Sequence, residues 1–128
     1  MRRQLRRASG DGAQATVEAA LVLPFVALLA LVIVQVGLLV QDQILVTHAA
    51  REAARAAAVD SDPNAPSVAA AAATKLDAGR LKVNVEGRGR RGSRVKVTVH
   101  YRAPTDVPLV GSLLGDVDLA ADATMRVE

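Results

Sequence analysis

Residues 19–41 read AALVLPFVALLALVIVQVGLLVQ, and no charged residue falls between Ala19 and Gln41. As a helix rising ~1.5 Å per residue, this run is about 34 Å long, enough to cross a hydrocarbon core of ~30 Å. The chain has 128 residues, too few for the remainder to surround such a rod as the core helix of a soluble domain. The expectation is a membrane-inserted chain. Arg2, Arg3, Arg6 and Arg7 precede the run, whereas Arg51 and Arg55 follow it among Asp42 and Glu52. Positive charge is retained on the cytoplasmic side, so the N-terminus is expected inside and residues 42–128 outside.

Composition narrows the chemistry. Hydrophobic residues make up 51% of the chain but aromatic ones only 2%, namely Phe25 and Tyr101. That counts against stacking platforms for single-stranded nucleic acid. Cysteine is absent, which excludes disulfides, thiol nucleophiles and thiolate metal sites, and two histidines cannot build a histidine-rich metal cage. No nucleophile, base and orienting group occur together, so no enzymatic activity and no cofactor are expected. His48, four residues before Glu52, reads as a surface residue. The net charge is +3, yet residues 1–13 hold four arginines and one aspartate, leaving twelve basic and twelve acidic residues in the rest. The basic excess therefore serves topology, and no nucleic-acid partner is expected.

Between the basic tail and the apolar run stands GDGAQATVE, which puts Glu18 at the membrane edge. A carboxylate there is costly unless paired, which marks it for a functional role; the alternative is an interfacial Glu favoured by a helix start. An ordinary secretory signal has an apolar region of only ~7–15 residues, shorter than this run. Beyond it, QDQILVTHAAREAARAAAV (41–59) contains neither Gly nor Pro and continues the helix. Leu45, Ala49, Ala53 and Ala56 or Ala57 recur at helical spacing, a strip that lets another element approach closely. Punctuation first appears at Asp60-Ser61-Asp62-Pro63. One helix is expected from about Gln14 to Val59, kinked or loosened at Pro24.

The stretch from Ala13 to Val59 resembles the N-terminal half of TadE-like minor pilins, pseudopilins of the tight-adherence branch of type IV pilus systems. That pattern is a basic leader, a small residue, four residues and a Glu, then an apolar helix and an AAREAAR segment. The resemblance implies a leader of residues 1–13 cut by a prepilin peptidase between Ala13 and Gln14, with Ala13 where the family usually has Gly. It further implies that Glu18 pairs with the new Gln14 amino group and sets subunit register during assembly. Implied partners are the peptidase, other pilins, the inner-membrane platform of the pilus machine, and membrane lipid. The implied function is that of a non-enzymatic minor pilin in the cytoplasmic membrane, incorporated in a surface pilus.

Residues 60–128 are expected to form a small extracytoplasmic domain. Asn64-Ala65-Pro66-Ser67 signals a second helix running to Gly79, with a low-complexity linker as the competing reading. The period then changes to two. LKVNVE, RVKVTVHY and VDLAADATMRVE each put apolar residues on one face, and GRGRRGS joins the first two as a hairpin. The expected fold is α+β: a long N-terminal transmembrane, pilin-like helix, a short second helix and a small three-stranded antiparallel sheet. The segment APTDVPLVGSLLG (103–115) offers Val107, Leu109, Val110, Leu113 and Leu114 as a core plug or as an exposed patch. Arg88, Arg90 and Arg91 at the hairpin tip read as a charged, solvated loop. If they bind, the ligand is an anionic envelope polymer, and the chain is then a single-pass membrane protein with an extracytoplasmic binding domain.

Overall fold

The computed structural model describes residues 7–128. Arg2, Arg3 and Arg6, on which most of the orientation argument rests, lie outside the described residues, as does the first half of the expected leader.

Helix α1 runs from Arg7 to Val59, 53 residues and about 80 Å at the usual rise. It starts seven residues before the expected Gln14. The two glycines of the GDGA stretch each cost about 1 kcal/mol relative to Ala, but neither removes a backbone donor. Propagation from the strong helix beyond them is enough to carry the helix through. The helix also continues through Pro24. From Gly12 to Val40 every residue is exposed or half-exposed except Gln35, so this half of α1 is a bare apolar rod. It is one helix long and apolar enough to cross a membrane.

The second half of α1 is the spine of the α+β unit. Helix α2 spans Ala65–Ala72; strands β1 (Leu81–Glu86), β2 (Arg94–Ala103) and β3 (Val117–Arg126) form one sheet; a short helix α3 (Val110–Leu114) lies between β2 and β3. The strand order is β1-β2-β3, antiparallel throughout, with Val83 opposite Val99 and Val97 opposite Ala123. Alternation works as the sequence implies: Val95, Val97, Val99, Tyr101 and Ala103 are buried, while Arg94, Lys96, His100 and Arg102 face outward.

The buried strip of α1 is wider than one row. Ala49 and Ala50, Ala53 and Ala54, and Ala57 and Ala58 are all buried, with Val46 below them, whereas Ala56 is only half-buried. Two adjacent rows are needed because α1 carries the sheet on one side and α2 on the other. Small side chains allow both to approach the helix closely, and the valines of β2 fill the space between.

Helix α2 ends at Ala72 rather than near Gly79. The chain leaves the helix so that Leu76 reaches the core, a case of packing overriding the propensity of the alanine run. Asp77 then accepts a hydrogen bond from the Gly79 N–H at 2.9 Å and opens a single 3-10 turn into β1.

Two hydrogen bonds set the sheet against the helix. The Gln43 side-chain amide donates to the Ala120 carbonyl at 3.0 Å, and the Glu128 N–H donates to the Ala58 carbonyl at 3.2 Å. Strand β3 therefore runs in the same direction as α1. The hairpin tip sits at the far end of the helix, and the β2–β3 connection lies toward the apolar rod.

Candidate assembly and processing site

Ala13, Gln14 and Glu18 lie on one face of α1 with Val17 and Leu21, lining a shallow, open depression. The spacing accounts for this, since residues four apart are neighbours on a helix surface. Gln14 and Glu18 are thus brought side by side, and both are exposed. The Ala13–Gln14 bond is inside the helix. Just before it, the Gly12 carbonyl accepts a hydrogen bond from the Thr16 hydroxyl at 2.8 Å, a back-bond of the kind that loosens helices. A side chain added at Gly12 would meet no atom within 4 Å, so small residues here do not serve packing within the subunit.

The three hairpin arginines separate. Arg90 and Arg91 are exposed, but Arg88 is half-buried and turns back toward the end of α1. One of its terminal nitrogens donates to the Asp60 carbonyl at 2.6 Å and to the Asp62 carbonyl at 2.9 Å. That turn is itself a ladder: the Asp60 carboxylate accepts from the Asp62 N–H and the Asp62 carboxylate from the Asn64 N–H, both at 2.9 Å. Arg88 straps it shut. The turn residues are legible in sequence, but a contact 26 to 28 positions away is not.

A cleft of about 560 Å³ opens beside the end of β2 that lies toward the rod, which sequence reasoning had not marked. Arg80 reaches Asp116 at 3.1 Å, and Arg102 reaches Asp118 at 3.4 Å. Each arginine there already faces a carboxylate, so the cleft is an ion-paired surface, not an anion trap. Nearby, burial holds the Asp42 carboxyl above the usual carboxylate range. Burial, and then the charge of Asp42, likewise push the Tyr101 hydroxyl above its ordinary value. Among the described residues no group of His, Asp and Glu is placed to hold a metal ion.

The five apolar residues of the β2–β3 connection divide between the two expected roles. Val107 and Val110 are buried as a plug, while Leu109, Leu113 and Leu114 are exposed.

No curated protein and no solved structure matches the chain. Residues 13–55, from the residue before the expected cut to the alanine-lined part of α1, match the family model described as TadE-like protein, so over that stretch of the long helix the chain is similar to TadE-like proteins.

Proposed function

We propose that the chain is a non-enzymatic minor pilin or pseudopilin of a tight-adherence type IV pilus. In this reading α1 first anchors the chain in the cytoplasmic membrane, N-terminus inside and residues 60–128 outside. A prepilin peptidase then removes residues 1–13, and the subunit joins other pilins through the inner-membrane platform. The observation that carries the reading is the helical face shared by Ala13, Gln14 and Glu18 at the head of a bare apolar rod. Once the bond before Gln14 is cut, its new amino group and the Glu18 carboxylate stand one helical turn apart. They can then pair within a subunit or between neighbours in a low-dielectric assembly, where such a pair is worth far more than in water. A plain membrane receptor has no use for that register.

The test is N-terminal sequencing of the protein from cells with an active prepilin peptidase. The expected first residue is Gln14. A chain that keeps Met1 in such cells, or one that begins at Arg51, defeats the reading.

A further inference from the structure

We propose that the β2–β3 connection is a membrane-interface element, with Leu109, Leu113 and Leu114 seated in the outer leaflet of the bilayer that α1 crosses. The inference rests on the membrane-inserted state proposed above.

The depth of this loop follows from the two bonds that tie β3 to α1. Ala120 stands level with Gln43, and Glu128 with Ala58. Fifteen helical residues rise about 22 Å, and the eight residues beside them extend about 26 Å, so the strand leans by about 30°. Val117, three residues before Ala120, therefore falls about 8 Å below Gln43, near the level of Gly37. The chain from Val107 to Gly115 joins Ala103 to Val117, the last paired residues at that end of the sheet, and α3 packs on α1. The first charged residue of α1 above the apolar run is Asp42. The loop thus lies beside the uncharged part of α1, not beside its charged part.

Cover on α1 agrees with this. Leu31, Gln35, Leu39 and Asp42 share one helix face and are the shielded residues of an otherwise bare stretch. Gln35 is only 2% exposed, and neither its amide nitrogen nor its oxygen has a partner among the described residues. Folded protein reaches down onto the apolar rod.

The loop itself is built for lipid. VPLVGSLLG (107–115) has no charge, and its leucines are among the most exposed in the domain, Leu113 at 77%. Backbone groups facing hydrocarbon must be satisfied internally. Here the Val110 N–H donates to the Pro108 carbonyl, the Gly111 N–H to the Val107 carbonyl and the Gly115 N–H to the Gly111 carbonyl, while the Thr105 hydroxyl donates to the Gly115 carbonyl. Leu109 adopts φ 67°, a strained conformation for a branched side chain, and is nonetheless exposed. Beside the loop, Arg80 and Arg102 are ion-paired with Asp116 and Asp118.

Because the chain has no cysteine, single labels can be placed cleanly. Full-length Leu29→Cys, Leu113→Cys, Leu114→Cys and Arg91→Cys, each carrying an environment-sensitive fluorophore, are inserted in liposomes containing phospholipid brominated both high and low on its acyl chains. The Leu29 label should be quenched as a span control and the Arg91 label should not. The Leu113 and Leu114 labels should be quenched strongly, with blue-shifted emission. Quenching at Leu29 with Leu113 and Leu114 reading like Arg91 overturns the inference. So does shielding of these two labels that arises only when subunits are packed together, which assigns the leucines to subunit contact. Quenching at none of the four defeats the membrane-inserted reading, and this inference with it.

Discussion

Arg88→Ala should destabilise the α+β domain by about 1–2 kcal/mol, whereas Arg90→Ala and Arg91→Ala should not. Hydrogen bonds from a charged donor contribute about 1.5–3 kcal/mol when well sheltered. Arg88 makes two, at 2.6 and 2.9 Å, but from a single nitrogen and at a half-buried site. Once the side chain is gone, water can reach the Asp60 and Asp62 carbonyls, which lowers the loss to the stated range. For a domain of this size each kcal/mol moves the melting midpoint by about 4–8 °C, so a fall of roughly 4–16 °C is expected. Exposed Arg90 and Arg91 have no such partners, and surface changes of that kind usually stay within ~0.5 kcal/mol. Tyr101 makes the assay specific. It is the chain's one tyrosine, there is no tryptophan, and it is buried on the inner face of the sheet, so its fluorescence follows the domain and not the bare half of α1. Equal midpoints for the Arg88 and Arg91 variants in detergent would refute the strap.

Three further outcomes are expected. Glu18→Ala should leave membrane insertion intact and processing active but abolish pili, since it removes only the partner of the Gln14 amine; normal pilus numbers would reduce Glu18 to an interfacial carboxylate. Gly87→Ala should cost ~2 kcal/mol or more in the Tyr101 melt, because Gly87 sits at φ 74° and a Cβ there would stand 2.7 Å from the Arg94 carbonyl oxygen. Gly92→Ala, at φ 86° with open space around it, should cost less, and the reverse order would contradict the packing described. Asp42→Asn should lower the Tyr101 titration midpoint, read from the tyrosinate band, yet leave it above the ordinary value because burial is the larger cause. The Asp42 carboxyl is itself raised by burial, so folding takes up a proton between the ordinary and the raised value. Its contribution to stability therefore declines as pH rises through that window, and the Asn variant should lack that decline.

The parts of this fold that follow local rules were legible. Period-two alternation located all three strands and their buried face, and an uncharged run located the rod. The helix begins at Arg7, before the expected Gln14, because the glycines between them take away no backbone donor. The end of α2 was set too late because nothing local to Thr74 or Lys75 says that Leu76 is wanted in the core. Of the candidate site, Ala13, Gln14 and Glu18 lie close together in sequence, so helical geometry alone unites them. The strap from Arg88, the ion pairs of Arg80 and Arg102, and the division of the β2–β3 leucines all depend on distant segments meeting. Composition could name those residues but could not sort them.

The unbroken course of α1 has a mechanical consequence. A helix of 53 residues that continues through Pro24 is a lever, with its lower arm bare and its upper arm fused to the sheet through two rows of alanine. Each residue along it turns the axis by about 100°. Sliding the grip on the lower arm by one position would swing every outward group of the domain by more than a quarter turn. The orientation of Arg90, Arg91 and the charged face of the sheet is therefore chosen far away, by whatever holds the helix near Glu18.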